Sequence, residues 1–425
     1  MADLALGMKR AVITGVGVVS PLGSGWAAWA NGLRAGTSAT RRISLFDAEH
    51  PLAGAKPLAC RVAAEALDFD PHAWLDKHDL TRVPRVVPMA IAAAREALGS
   101  AGLLEASEER RREISVVIGS GGGGFSFAEE QFGHWYGGRT SLLSPYAVSS
   151  TIPGMLSSEL SIAYGLRGRS HTFSDGCTSA TDALGNALDL IRNGRASTIL
   201  CGGADAPITP ATIAAFCLMR AVPTKFNNLA ETAARPFDAS REGFVLGEGA
   251  WLFVVEEREQ AMARGATIWA EIAGYGATCE AYHRVALGEP DEAGRAMRLA
   301  LEDAGAAPES IDYVNLHGTG TTLNDPLETA AVKLALGDHA YAIPMSATKS
   351  QIGHPQGASG AAGVAAALVA MHENFIPPTI NLHSPDPHCD LDYSPLRARE
   401  AQVESALCNC LGFGSKNSAL VVRRA

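Results

Sequence analysis

What the 425-residue chain lacks narrows its function first. No apolar run approaches the length of a bilayer span and no signal-like segment precedes the first strand pattern, so no membrane association is expected. Basic charge is not in excess. The 35 Lys and Arg stand against 45 Asp and Glu, a formal net charge of −10. That balance argues against bulk nucleic-acid binding, and docking of an acidic partner would require a local basic patch. The 8 cysteines are scattered apart from Cys408 and Cys410, and show neither metal-ligand nor disulfide-framework spacing. A reduced, cytoplasmic setting is expected. Two phosphate-binding patterns are incomplete. Gly15-x-Gly17 lacks a third glycine in place and is followed by Pro21, which excludes a dinucleotide loop, and no Lys-Ser or Lys-Thr follows the run Gly121–Gly124.

What is present describes a large globular core, with 47% hydrophobic and 19% charged residues. Strand patterns at 11–19, 114–119, 197–205 and 249–256 alternate with helical ones, which predicts mostly parallel sheets covered on both faces. The second part repeats the first. The segment Ala93–Gly102 has a counterpart in Ala296–Gly305, and each precedes a strand, Ile114–Ile118 or Ile311–Leu316. The strand at Ala11 is echoed at 268–276, and the helix after Cys177 is echoed by Gly357–Met371. The expected architecture is a duplicated α/β fold, with halves 1–260 and 261–425 and a join near 257–267.

Cys177 lies in an Asp-Gly turn ahead of the helical pattern 181–193, where the helix dipole and free N–H groups favour a thiolate. A lone cysteine so placed is more often a small buried residue. Here two histidine motifs follow, Asn315-Leu316-His317-Gly318-Thr319-Gly320-Thr321 and Thr348-Lys349-Ser350-Gln351-Ile352-Gly353-His354. His317 falls at the end of a predicted strand, where ligands bind in parallel α/β sheets, and His354 lies in a polar loop before a helix. The same three residues could ligate zinc, but close-spaced ligand pairs are absent, and no metal is expected.

In order and spacing these motifs resemble the elongating β-ketoacyl-acyl carrier protein synthases and the related ketosynthase subunits of type II polyketide systems. The resemblance extends from Val12–Gly15 to the loop Cys408–Gly414. It implies a thiolase-like five-layered αβαβα fold and a dimer, either a homodimer or a heterodimer with a ketosynthase-like subunit. It implies no separate cofactor, because the substrates ride on the phosphopantetheine arm of acyl carrier protein, the expected partner. By the same match Cys177 accepts the acyl chain, and His317 and His354 bind malonyl thioester and promote its decarboxylation. Lys349 and Glu328 form a supporting ion pair, and Phe413 is a gate whose N–H joins that of Cys177 in an oxyanion hole. Thr319 and Thr321 hold the pantetheine arm, Phe216 and Gly122 contact the acyl chain, and Arg82 and Arg220 face the carrier, with Lys77 and Arg85 nearby.

Three places depart from the family's pattern. Asp175-Gly176 replaces small uncharged residues, and Asp175 is expected to point away from the thiol and bond turn N–H groups. Ser415-Lys416 replaces Gly-Thr after Gly414. Gly122 stands where a larger side chain usually closes the acyl pocket, so the pocket is expected to be deep and filled by Phe125, Phe127, a partner subunit or a long substrate. Four readings remain: a fatty-acid elongation synthase, a polyketide or polyene ketosynthase, a non-catalytic chain-length subunit, and a thiolase. The presence of Cys177 argues against the third. The fourth is disfavoured because thiolases use a second cysteine in a different C-terminal motif.

Overall fold

In the computed structural model, which describes residues 8–51 and 56–425, the elements that position the site are ten strands and eight helices. The first part contains β1 (Ala11–Ser20), α1 (Val86–Ser100), β2 (Ile114–Gly119), α2 (Phe125–Tyr136), α3 (Met155–Tyr164), β3 (Ser170–Phe173), α4 (Ser179–Arg192), β4 (Thr198–Asp205), α5 (Pro210–Leu218) and β5 (Gly249–Glu257). The second contains β6 (Ala270–Cys279), α6 (Pro290–Ala304), β7 (Tyr313–Asn315), α7 (Asn324–Leu336), β8 (Met345–Ser346), α8 (Ser359–Glu373), β9 (Ser405–Gly412) and β10 (Lys416–Arg423). The strands run in the order β8-β7-β9-β10-β6-β1-β5-β4-β2-β3, so each half has the same strand order counted from the centre. The halves meet where Ala11–Ile13 pairs with Ala270–Ile272.

The sheet is mixed, which corrects the mostly parallel expectation. β3, β2 and β4 are parallel, as are β8, β7 and β9, but β5 and β10 each run antiparallel to both neighbours. Layering follows from which faces are apolar. α1 and α3 cover the outer face of the first half, with Val116, Ile118 and Leu200 beneath them. α6 and α7 do the same over Val314, Leu407 and Val421. Between the two halves of the sheet lie α4 and α8, packed on Val117, Ile199 and Leu420. α8 is apolar on every side, and Ser359–Met371 is entirely buried, as a helix in the middle of five layers must be.

The glycine pair that mimicked a dinucleotide loop has a packing role. A Cβ on Gly17 would lie 1.9 Å from Ala93 O and one on Gly15 2.1 Å from Ala97 O, so the glycines let α1 press on β1. The second half repeats the device. Cβ atoms on Gly276 and Gly274 would sit 2.2 Å from Ala296 O and 2.3 Å from Ala300 O, on α6.

Candidate active site

The turn Gly176–Thr178 delivers Cys177 to the N-terminal end of α4, with Gly176 at φ +67 where a side chain would be strained. Ser179 Oγ ties the turn by accepting from Asp175 N at 2.8 Å and donating to Gly176 O at 2.6 Å. Cys177 is buried at 4% exposure, and burial pushes its thiol up to about 11, overriding the dipole's pull toward thiolate. Against burial work the charge of Lys349 and the backbone N–H groups of Phe413 and Cys177 itself. The same two amides are the expected oxyanion-hole donors.

His354 Nε2 is 3.2 Å from Cys177 Sγ. Its Nδ1 accepts from Gln356 N at 3.2 Å and lies 3.0 Å from Ser359 Oγ. A backbone N–H can only donate, so the neutral ring carries its proton on Nε2, facing the sulfur. His317 is fixed similarly. Lys349 Nζ, a donor without acceptor capacity, lies 2.6 Å from His317 O and 3.3 Å from His317 Nδ1. That leaves His317 Nε2 as the protonated nitrogen too. Burial and the Lys349 charge hold both histidines well below their usual value, so both are neutral donors at neutral pH. The rings meet edge to face, centroids 5.3 Å apart.

Cys177, His317 and His354 bring one ligand atom each within 4.8 Å of one another. Zinc would need the lone pairs on the two Nε2 atoms, which would move the ring protons to Nδ1 and set them against the Gln356 N–H and the Lys349 ammonium, both donors. The ammonium also repels a cation. The donor set therefore does not fit a metal.

Glu328 and Lys349 do not form the expected direct ion pair among the described residues; His317 stands between them. Glu328 accepts from His317 N at 2.6 Å, Gly318 N at 2.7 Å, Asn409 Nδ2 at 2.7 Å and Asn324 Nδ2 at 3.2 Å. Thus Glu328 holds the N–H of His317 while Lys349 holds its carbonyl and ring. Thr319 and Thr321, with hydroxyls 3.1 Å apart, line a cavity of about 490 Å³ that runs from Cys177 and both histidines to Arg220 and Lys225 at the surface. Phe413 also lines it. Phe216 does not. It packs behind the wall on Phe244 and Phe413, with centroids 5.0 and 6.4 Å away.

Gly122 is not among the residues that line that cavity; the turn 120–123 wraps a buried carboxylate. Asp205 accepts from Gly121 N, Gly122 N and Gly357 N and lies 3.4 Å from Ser120 Oγ; burial pushes it up to about 6. A Cβ on Gly122 would make ordinary contacts with Asp205 at 3.4 Å and Phe125 Cβ at 3.7 Å. Phe127 is buried. Arg82 is engaged elsewhere, with Asp79 at 3.2 Å, His78, and the Tyr146 ring at 5.1 Å. Arg85 is taken by Glu248 at 2.8 Å. Arg220 remains exposed at the cavity mouth, held at φ +56 by the turn that ends α5.

Asp175 does not bond the turn amides either: its carboxylate pairs with Lys416. Ser415 Oγ accepts from Tyr282 N and His283 N and donates to His283 O at 2.9 Å, so the altered loop keeps a full set of bonds. Sequence reasoning missed Gln356, whose Oε1 is 4.0 Å from Cys177 Sγ, and Cys410, whose thiol donates to Cys177 O at 3.0 Å. It also missed Asn409 and Asp205. The alternation of β9 carried a signal: Asn409 faces Glu328 and Cys410 faces Cys177.

Comparison with known proteins agrees with this geometry. The family described as beta-ketoacyl synthase matches with its N-terminal domain over residues 8–261 and its C-terminal domain over 269–383. The chain is 40% identical over 418 residues to the 3-oxoacyl-[acyl-carrier-protein] synthase 2 of Synechocystis, covering 98% of each. It is 42% identical over 424 residues to the granaticin polyketide beta-ketoacyl synthase 1 of Streptomyces violaceoruber, again covering 98% of each. Among solved structures, the ishigamide ketosynthase/chain length factor superposes with TM-score 0.88 at 36% identity, over 99% of this chain and 100% of that one. With its thiolase-like layers and its Cys-His-His site, the chain belongs to the β-ketoacyl synthase family.

Proposed function

We propose that the chain is a β-ketoacyl-acyl carrier protein synthase that elongates a Cys177-bound acyl group by decarboxylative Claisen condensation with malonyl-acyl carrier protein. Cys177 Sγ attacks the acyl thioester of one carrier and expels its pantetheine thiol, splitting a hard condensation into two easier steps. The oxyanion of each tetrahedral intermediate receives the N–H groups of Cys177 and Phe413. Malonyl thioester then enters the cavity past Thr319 and Thr321, and its carbonyl accepts from the Nε2–H groups of His317 and His354. Carbon dioxide leaves, and the electron pair develops as an enolate whose oxygen those donors stabilise. The enolate carbon attacks the acyl carbonyl, the C–S bond to Cys177 breaks, and a β-ketoacyl carrier departs. The observation that carries this reading is two neutral, buried histidines that each bring a ring nitrogen within 4.8 Å of the Cys177 sulfur, in a cavity also lined by Arg220 and Lys225.

The chemistry serves fatty-acid, polyketide or polyene elongation alike. We read residues 1–260 as the half that supplies the nucleophile and 261–425 as the half that supplies the histidines. Pairing with a second copy or a ketosynthase-like subunit is supported by exposed apolar side chains, Phe132, Trp135 and Tyr136 on α2 and Val148 beyond it, and by the open edge of β3. The test is to supply acyl carriers of varied length and unsaturation, then malonyl carrier. Mass spectrometry should find the acyl group on Cys177, followed by a β-ketoacyl product. Absence of any Cys177 adduct would contradict the reading.

A further inference from the structure

Asp175 and Lys416, two of the positions where the chain departs from the pattern it resembles, lie 241 residues apart in sequence and are partners. The Lys416 ammonium donates to Asp175 Oδ1. Asp175 opens the turn that carries Cys177, and Lys416 opens β10, directly after the hairpin turn Phe413–Ser415. Across that hairpin Gly412 pairs with Lys416, and a Cβ on Gly412 would lie 3.5 Å from both Asp175 O and Cys177 N. The hairpin therefore lies directly on the nucleophile turn, and the Phe413 N–H it carries favours the Cys177 thiolate.

The hairpin is also held from the opposite side. Gly414 N donates to Arg284 O at 2.9 Å, Glu280 N donates to Ser415 O at 2.8 Å, and Ser415 Oγ is bonded around His283. His283, Val285 and Leu287 line the cavity that opens at Arg220. Two attachments thus hold the hairpin, one to the nucleophile turn and one to the cavity wall. Gly414 at φ +84 and Ser415 at φ +65 set its bend, and with Lys416 42% exposed the ionic attachment is open to solvent.

We propose that Asp175–Lys416 is a positioning pair that keeps the Phe413 hairpin seated on the Cys177 turn, and so keeps the Phe413 N–H where the acyl oxyanion forms. A pair this exposed adds little to global stability. Its effect is on register: an oxyanion donor displaced by about 1 Å loses most of its effect on rate. The inference rests on the synthase reading above.

The test separates partial reactions. Asp175→Asn and Lys416→Met should each slow acyl transfer to Cys177 about 10-fold in kcat, with KM for the acyl carrier within about 2-fold. Malonyl decarboxylation, which uses the histidine donors, should fall less than about 2-fold, a split that general unfolding would not produce. The exchanged pair Asp175→Lys with Lys416→Asp should recover acyl transfer to within about 3-fold of the parent, and Lys416→Arg should retain it outright. If the single variants transfer acyl groups at the parental rate, or Lys416→Arg is as slow as Lys416→Met, the proposal is overturned. A parent that gains no acyl group on Cys177 would instead contradict the synthase reading.

Discussion

The two halves share one topology and divide the chemistry unequally. In each, a helix of the middle layer starts from a short helical turn: Gly176–Thr178 before α4 and Gln356–Ala358 before α8. The first turn carries the nucleophile. At the matching place in the second stands Gly357, whose N–H goes to Asp205. The strand ends differ as well. β2 runs into Ser120-Gly121-Gly122, a backbone cradle for Asp205, whereas β7 runs into Leu316-His317-Gly318, a side-chain donor held by Glu328 and Lys349. Duplication thus supplied two equivalent helix starts facing each other across one plane, and the first half kept only the thiol. A nucleophile and its electrostatic partners can then be tuned separately, because burial raises Cys177 and Lys349 acts on both sides.

Lys349→Met should disturb this division most. It removes the donor on His317 Nδ1 and the charge that adds to burial in holding both histidines low. Decarboxylation should fall roughly 10- to 100-fold. It should also acquire a pH dependence, declining at acid pH, because burial without the Lys349 charge holds the histidines less low and they take up protons more readily. A flat profile with parental rate would show that Lys349 has no role in setting the donors.

Much of this site was legible in the sequence because its three motifs are local. Cys177 precedes a helical period, and both histidines sit among glycines and small polar residues at strand or helix ends. The duplication was legible too, since the pairs Gly15–Gly17 and Gly274–Gly276 each prepare a strand for an alanine-rich helix. What stayed hidden was pairing across the chain. Nothing near Asp175 indicates Lys416, and nothing near Gly122 indicates that Asp205 occupies its amide. The expected Glu328–Lys349 pair failed for the same reason: the residue between them is placed by the fold. The antiparallel β5 was missed because a buried strand is apolar whichever way it runs.

The contact between the halves is sharpened by a smaller change. α4 and α8 cross at Gly360, where a Cβ would lie 2.0 Å from Thr181 Oγ1 and 2.8 Å from Thr181 N. Gly360→Ala should therefore destabilise the protein by about 1–3 kcal/mol, read from chemical denaturation. It should also slow condensation, because both helices present site residues. Unchanged stability would mean the helices yield freely at the crossing.

The smallest effect concerns the mouth, where the acidic chain meets an acidic carrier. Arg220→Glu should weaken carrier-dependent acylation about 3- to 10-fold at low ionic strength and less at high salt, since the residue is exposed and screened. Acylation from a short pantetheine thioester should not change. Equal carrier use at low salt would remove Arg220 from the docking surface.

The central claim is that a high-pKa thiol and two neutral histidine donors perform separate reactions. The most direct measurement follows both partial reactions from pH 6 to 9, with decarboxylation assayed in Cys177→Ala and acyl transfer in His317→Ala and His354→Ala. With the thiol at about 11, acyl transfer should climb close to 10-fold per pH unit. Decarboxylation should persist without the thiol and stay flat, because neither histidine titrates in that range. Loss of decarboxylation in Cys177→Ala, or a profile that rises through pH 6.5 as a histidine deprotonates, would contradict the account.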